Sequence, residues 1–562
     1  MNNVEKALKR KLNDDSEMAY PDFDEMWNRM EQTGHTAPTL TDTSDSFTPH
    51  RHRNWRKITI AASLSALLVA VPVYAAIHYN WGDLLHGRSG IQTALNQDLG
   101  QPLEQSVTRD GVKLRLHTAI VDENRTVILY SLEVGKRADN EFWNVKGVSL
   151  KSAAGKSSAG EYSFQQWDEK NQRYNGYFES DWTPQQETEN VRLTVDHIEL
   201  TSVQELDLPL DTKSPQMQTF KLDRNGLQDL KVQVFEQGKD KLMLSSAITF
   251  DSSKPKEWDN PQIIAYKGGE PVRPQPGGAF GTPGENGEYT AQQYFTKADI
   301  PEGQTTFKLQ YAQTEKSINE PINLDLQLSK KKMESGTIKS VLNTPLENGN
   351  RNFTLEQMIV TPTQIRVTIR SEKKFAMLPY QKYFLSVNGG TTLEGSRWSS
   401  PDQEHDLNTI RFERPSNLVI TKDTPVTFTG KYKVTTHSDD KTPQRLTDIS
   451  EQRQTLTTQI GGYPVKWTYY KQGSDLFVET ESEDAHFGGI NQTHIALGKE
   501  RIIGKPITAN FAGDGNNKAV DVYKNFKGKE ASIYMFYYTT DDPEAETTIP
   551  LRPLTSNSKA SK

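Results

Sequence analysis

The sequence predicts a mainly β ectodomain of tandem immunoglobulin-like β-sandwich modules, preceded by one transmembrane helix and a short α-helical cytoplasmic segment. Three features lead to this prediction: an uncharged apolar stretch near the N-terminus, alternation of apolar and polar residues beyond it, and a recurring hairpin pattern. An apolar stretch of about 20 residues is long enough to cross a bilayer. Alternation with a period of two indicates strands with one buried face.

The overall composition excludes several classes of protein. The chain has 562 residues, 25% of them charged, and a formal net charge of -7. This balance is ordinary for globular domains and argues against a nucleic-acid-binding protein, which is usually basic. The chain contains no cysteine, so disulfides, thiol nucleophiles and cysteine-ligated zinc are excluded.

The predicted transmembrane helix covers residues 58–77, which read ITIAASLSALLVAVPVYAAI without a charge. A basic cluster precedes this stretch, whereas the next basic side chain after it is Arg88. The positive-inside rule therefore places the N-terminus in the cytoplasm and the ectodomain outside the plasma membrane. The residues that set this orientation are Arg51, Arg53, Arg56 and Lys57.

Two other interpretations of the apolar stretch remain open, a buried core helix and a cleaved signal peptide. The sequence Val73-Tyr74-Ala75 before Ala76 has the small residues of a cleavage site. About 57 residues precede the apolar stretch, however, and the basic region of a signal peptide is short. We therefore expect an uncleaved signal anchor.

The cytoplasmic segment, residues 1–57, contains two short amphipathic helical patterns and a polar linker at residues 33–50. Fewer than 60 residues bury little core alone. The apolar stripes are therefore expected to pack on each other, lie on the membrane or dock into a partner groove. A helical hairpin without a partner is the alternative. The nominated partner-binding residues follow the i, i+3, i+4, i+7 pattern of a helix face: Phe23, Met26, Trp27 and Met30.

Beyond the membrane stretch, an alternating hairpin recurs four times. The predicted turns lie at residues 122–125, 236–240, 361–364 and 471–475, roughly 110 to 125 residues apart. Several short strands per unit at such a spacing are typical of tandem β-sandwich modules. One or two larger β domains are the alternative. The predicted modules cover residues 78–215, 216–340, 341–450 and 451–553, followed by a disordered tail at 554–562.

No motif in the sequence predicts catalysis. HExxH, G-x-S-x-G, P-loop and dinucleotide-binding patterns are all missing, and no two ectodomain histidines have zinc-ligand spacing. Asp514, Asn516 and Asp521 are reminiscent of calcium loops, but their spacing is not that of an EF-hand, and a polar turn is preferred. We therefore nominate no catalytic, cofactor-binding or metal-binding residue and expect a protein that is not an enzyme.

Residues 57 to about 215 resemble a family of Gram-positive bacterial single-pass membrane proteins whose extracytoplasmic domain has no assigned function. The resemblance lies in the single anchor, in WGDLLHG at residues 81–87, and in the hairpin GVKLRLHTAIVDENRTVILYSLEV at residues 111–134. The later modules resemble the companion β domains that often follow. Family members are commonly encoded beside extracytoplasmic-function sigma factors, so the resemblance implies a membrane-bound anti-sigma factor or sensor.

The sequence is therefore consistent with two functions. In the first, the ectodomain senses an envelope ligand and the cytoplasmic helices hold a partner such as a sigma factor. This sequence departs from the zinc-type anti-sigma pattern because it lacks cysteine ligands. In the second, the β modules bind cell wall, carbohydrate or protein at the surface, and the cytoplasmic tail is passive.

Overall fold

The computed structural model describes residues 81–552, except 86, 153–156, 160–161, 238–239, 254–256, 284–286, 348, 375, 399–405, 440, 498–499 and 508–515. The predicted cytoplasmic segment, the predicted transmembrane helix at 58–77 and the tail at 554–562 lie outside the described residues. Within the described part of the chain, no helix is long and apolar enough to span a bilayer.

The described chain is mainly β, as predicted, and the four predicted hairpins are confirmed. Its helices are short: α1 (Trp81–Leu84), α2 (Ser89–Asn96) and α3 (Lys331–Glu334). The strands before α3 are β1 (Gln101–Arg109), β2 (Val112–Val121), β3 (Thr126–Glu133), β4 (Glu141–Ser152), β5 (Ser157–Ala159), β6 (Tyr162–Asp168), β7 (Arg173–Ser180), β8 (Thr188–Leu208), β9 (Gln218–Arg224), β10 (Leu227–Gln237), β11 (Lys241–Phe250), β12 (Trp258–Lys267), β13 (Glu270–Val272), β14 (Gln275–Pro283), β15 (Tyr289–Thr296), β16 (Thr305–Ile318) and β17 (Ile322–Ser329).

The strands after α3 form the second half of the described chain. They are β18 (Ile338–Glu347), β19 (Asn350–Val360), β20 (Gln364–Ser371), β21 (Tyr380–Val387), β22 (Thr391–Trp398), β23 (Leu407–Glu413), β24 (Val426–Ser438), β25 (Gln444–Leu446), β26 (Gln454–Ile460), β27 (Tyr463–Gln472), β28 (Asp475–Glu481), β29 (Phe487–Ile490), β30 (Thr493–Leu497), β31 (Glu500–Ile503), β32 (Lys505–Pro506), β33 (Ala519–Tyr523), β34 (Ala531–Met535) and β35 (Tyr537–Arg552).

The first half contains two lobes that share one sheet. In lobe 1, the sheet β1-β2-β3-β7-β6 faces β4, β17 and the first part of β8 across a core that includes Leu116, Tyr130 and Val195. In lobe 2, the sheet β14-β15-β11-β10-β9 faces β12, β16 and the end of β8 across a second core that includes Leu230 and Phe295. The alternating apolar residues of each strand supply these cores because successive side chains point to opposite faces.

Lobe 2 is inserted into the chain of lobe 1. Strand β8 is 21 residues long and passes from one lobe into the other. Strand β16 returns beside it, with Phe307 opposite Leu208, and β17 then closes lobe 1, with Ile322 opposite Val195. The predicted boundary between residues 215 and 216 follows β8, but strand pairing crosses it. The division into four modules stays a prediction.

The second half repeats this nested plan. In lobe 3, the sheet β18-β19-β20-β23-β22-β21-β24-β35-β29 curls around one core, and the hydroxyl of Thr547 on β35 donates to the carbonyl oxygen of Leu346 on β18 at 3.2 Å. The chain enters lobe 4 along β24 and returns along β35, which pair from Val426 and Arg552 to Ser438 and Tyr537. In lobe 4, the sheets β26-β27-β28-β33-β32 and β25-β34-β30-β31 enclose a core with Trp467 near its centre.

Candidate functional site: an ionic junction between the two halves

The most highly charged buried part of the described molecule lies where lobe 1 meets lobe 3, and we call it the ionic junction. Two hairpin turns face each other here, residues 122–125 of lobe 1 and 361–364 of lobe 3. Each turn is closed by its own side chain. Oδ1 of Asp122 accepts the backbone N–H of Arg125 at 3.0 Å, and Oγ1 of Thr361 accepts that of Gln364, also at 3.0 Å. Short polar side chains commonly form turns in this way.

Arg125 is the centre of the ionic junction and has no exposed side-chain surface. Its Nη1 donates to Glu179 and to Glu413, each at 2.8 Å, and its Nη2 donates to Glu413 at 3.0 Å. The main-chain oxygen and the hydroxyl of Thr363 accept the remaining two hydrogen bonds, each at 3.1 Å. All five N–H donors of the guanidinium are therefore used. Four of the five bonds cross from lobe 1 to lobe 3.

These contacts keep the buried groups charged. Burial alone would lower the pKa of Arg125, but the charges of Glu413 and Glu179 outweigh it and raise that pKa. Burial alone would raise the pKa of Glu179, but the charges of Arg125 and Arg88 outweigh it and lower that pKa. A buried charge that keeps its ionised form must be paired in this way.

A second set of contacts surrounds Arg125. The hydroxyl of Thr363 donates to Oδ2 of Asp122 at 2.6 Å, and Nδ2 of Asn124 donates to the carbonyl oxygen of Gln364 at 3.2 Å. Beside them, Asp181 of lobe 1 forms ion pairs with Arg366 and Arg411 of lobe 3. The junction is therefore a hydrogen-bonded network and not a single pair, which makes its geometry specific.

The segment at the N-terminal end of the described chain is held by the ionic junction. Arg88 forms ion pairs with Glu179 of lobe 1 at 3.1 Å and with Glu413 of lobe 3 at 3.3 Å. The hydroxyl of Ser89 donates to the carbonyl oxygen of Arg414 in lobe 3 at 3.0 Å. Helix α2, which begins at Ser89, therefore contacts both halves.

Close packing continues along α1 and α2. A β-carbon at Gly90 would stand 2.0 Å from the main-chain oxygen of Thr363, so only glycine allows this approach. Apolar side chains of the two helices cover the outer face of β2, β3 and β7 and enclose Met333 of α3, the connection between the halves. These helical side chains are Trp81, Leu84, Leu85, Ile91 and Ala94.

The carboxylates of the ionic junction are engaged by guanidinium groups, and no group of three or more potential metal ligands occurs among the described residues. In the predicted polar turn near residue 516, Asn516 donates to Gln237 whereas Asp521 accepts from Thr493, so the two side chains do not converge. The junction is suited to coupling one part of the protein to another.

The sequence prediction found only part of this site. The alternating pattern predicts both facing turns, at residues 122–125 and 361–364, but it does not nominate Arg125, Glu179, Thr363 or Glu413 as functional residues. The nominated residues Phe23, Met26, Trp27 and Met30, and the basic cluster Arg51, Arg53, Arg56 and Lys57, lie outside the described residues.

Comparison with known proteins assigns no activity to the site. Residues 50–134, which include the turn that carries Arg125, match the family described as Domain of unknown function (DUF4179). No curated protein matches the chain. One similar solved structure is the crystal structure of the conserved domain protein from Bacillus anthracis, with 12% sequence identity over 56% of this chain and 90% of that chain. Its TM-score is 0.15, which supports no inference about fold or function.

Proposed function

We propose that this protein is a membrane-anchored extracytoplasmic sensor that regulates a cytoplasmic partner, such as an extracytoplasmic-function sigma factor. One observation carries the proposal: Arg88 and Ser89 tie the N-terminal end of the described chain to both halves at the ionic junction. A change in how the halves meet would act on this segment directly. A passive anchor would need no such contact.

The distance to the membrane supports the same proposal. If residues 58–77 span the bilayer, four residues lead from the end of that span to Trp81. Four residues reach at most about 14 Å, so the start of α1 would lie close to the membrane surface. The plasma-membrane location, the cytoplasmic N-terminus and the immunoglobulin-like character of the lobes are parts of this proposal.

In the proposed mechanism, an envelope ligand alters the contact between the halves, and Arg88 passes the change to the membrane segment. The cytoplasmic stripe of Phe23, Met26, Trp27 and Met30 then releases or captures its partner. Trp27 is the expected anchor because large aromatic side chains dominate the free energy of such interfaces.

The test is co-purification from cells of the full-length protein with a C-terminal tag. We expect one dominant cytoplasmic partner, a sigma factor, and its loss in Trp27→Ala, which should weaken binding by at least about thirtyfold. Glu413→Gln, at the ionic junction and far from the tail in sequence, should change the amount of the same partner that co-purifies. Asp45→Ala in the linker is the matched control and should leave it unchanged. An identical set of proteins with all four baits would contradict the proposal.

A surface binding protein with a passive tail is the second candidate. The observation that favours it is a cleft between lobes 2 and 4, which a ligand could occupy without any effect on the cytoplasm. In this case the ectodomain would bind its ligand equally well with residues 1–50 deleted, and Trp27→Ala would not change the proteins that co-purify from cells.

A further inference from the structure

The cleft between lobes 2 and 4 is about 700 Å³ in volume, within the usual range of small-ligand sites. Two loops of lobe 2, residues 212–215 and 297–302, form one wall together with the end of β10. The opposite wall belongs to lobe 4. Two of its side chains come from β27 and β28, and two from the residues just before β26 and β33: Tyr470, Glu479, Arg453 and Lys518.

The lobe 4 wall carries an excess positive charge. Glu479 is buried and accepts from Nη2 of Arg453 at 2.5 Å, while its other oxygen lies 3.1 Å from Nζ of Lys518. Two cations thus share one carboxylate. The lobe 2 wall is balanced, because Lys213 pairs with Glu302 and Lys297 pairs with Glu236.

The two cations of lobe 4 face the cleft. The pKa of Glu236, on the opposite wall, is lowered first by its hydrogen bond with Lys297 and further by the charges of Lys518 and Arg453. The guanidinium of Arg453 lies over the ring of Tyr470, 4.1 Å from its centroid, which holds the cation in one place. An anionic group entering the cleft would therefore meet two prepositioned cations.

The rest of the cleft is lined by apolar side chains, by the hydroxyl side chains of Thr212 and Ser214, and by Gln233. Phe235, Leu242 and Ile300 of lobe 2 line it. Nε2 of Gln233, which lines the cleft, donates to Oε1 of Gln472 in lobe 4 at 3.2 Å, so an amide hydrogen bond already joins the two lobes. A polyanion would be repelled by Glu236 and by Glu302, another lining residue. A fatty acid would meet too many charges along its chain.

We propose that this cleft binds the C-terminal end of a peptide, with its carboxylate on Arg453 and Lys518 and its last side chain against Phe235 and Leu242. The peptide would be the envelope cue, so the inference rests on the proposed sensor function. A peptide held by both walls would bind one arrangement of the two halves better than another. That difference in affinity is what a ligand needs in order to shift a conformational equilibrium.

The test is isothermal titration calorimetry on the full-length protein in detergent. The probes are a tripeptide of two alanines and a C-terminal phenylalanine with a free carboxylate, and the same tripeptide as its C-terminal amide. We expect saturable binding of the acid and at least about tenfold weaker binding of the amide, because the amide loses charge-assisted hydrogen bonds. This comparison needs no variant.

Variants then locate the site. Arg453→Gln and Lys518→Gln should each weaken binding of the acid by about tenfold or more. Lys518→Arg keeps the charge and should retain binding. Arg445→Gln is the matched control, because Arg445 lies in the same lobe but pairs with Glu530 at the surface, and it should change affinity less than about twofold.

Four results would overturn the peptide site: no binding of the acid, equal affinity for acid and amide, binding unchanged in both Gln variants, or full competition by inorganic phosphate. None of them bears on the co-purification of a cytoplasmic partner. Failure of the peptide site and failure of the sensor function are therefore distinguishable.

Discussion

Among the described residues, the two halves meet at the ionic junction and between lobes 2 and 4, and the chemistry of these contacts differs. The ionic junction between lobes 1 and 3 has a fully buried guanidinium with every donor used. The contact between lobes 2 and 4 is a small apolar cluster in which Phe235 and Met243 of lobe 2 pack with Phe477 and Val520 of lobe 4. Beside this cluster lies the open cleft.

This difference indicates which contact is the stronger one. A buried charge network is strongly destabilised if one partner is removed, and its geometry allows little sliding. A modest apolar contact with amide hydrogen bonds resembles a transient interface between domains. We therefore expect the ionic junction to be the stronger of the two contacts.

The largest expected effect comes from breaking the ionic junction at its centre. Arg125→Met should lower the free energy of unfolding by about 3–5 kcal/mol, because the buried Glu179 and the partly buried Glu413 lose their main partner. Urea denaturation of the ectodomain, followed by tryptophan fluorescence, measures this. Arg125→Lys keeps the charge but loses the planar guanidinium with its five donors. Its free energy of unfolding should therefore lie between those of Arg125→Met and the wild type. A loss below about 1 kcal/mol for Arg125→Met would contradict the expectation that the ionic junction is the stronger contact.

An intermediate effect is expected where α2 approaches lobe 3. Gly90→Ala places a methyl group against the main-chain oxygen of Thr363 and should cost about 1–3 kcal/mol. The matched control is Gly390→Ala, because a β-carbon there meets nothing within 4 Å. Thermal denaturation compares the two. Equal stability of both variants would mean that α2 is not held tightly by the second half.

The smallest effects should appear as opposite pH dependences in the two contact regions. The pKa of Glu179 is lowered by Arg125 and Arg88, against the effect of burial. Its contribution to stability is therefore present above its ordinary value of about 4.3 and is lost as the pH falls through the lowered value. In Glu179→Gln, this loss in acid should disappear.

Asp521 in lobe 4 should behave in the reverse way. Burial raises its pKa to about 7, although hydrogen bonds from Thr493 act against the shift. The folded state then holds a proton that the unfolded state has released, so stability falls as the pH rises from about 4 to about 7. Asp521→Asn should remove that fall, whereas Glu179→Gln should not. Denaturation at a series of pH values tests both predictions. If the free energy of unfolding depended on pH in the same way in both variants, the comparison would be contradicted.

The sequence predicts the individual strands of this fold better than it predicts which strands pair in one sheet. The alternation of Val112, Leu114 and Leu116 predicted a strand with one buried face, and all three side chains are buried. Strand β17, however, pairs with the first part of β8 in lobe 1 and not with the lobe 2 strands that precede it. Alternation is a property of neighbouring residues, whereas the choice of sheet depends on residues more than a hundred positions away.

The same distinction applies to the ionic junction. By itself the sequence determined a polar turn at residues 122–125, since its residue types favour a tight turn between two strands. Only the tertiary structure decided that Arg125 is buried, because Glu413, 288 positions further along the chain, is brought against it when lobe 3 folds. An arginine in a hairpin turn is ordinarily solvated. Its environment is set by the surface that covers it, and no local pattern contains that surface.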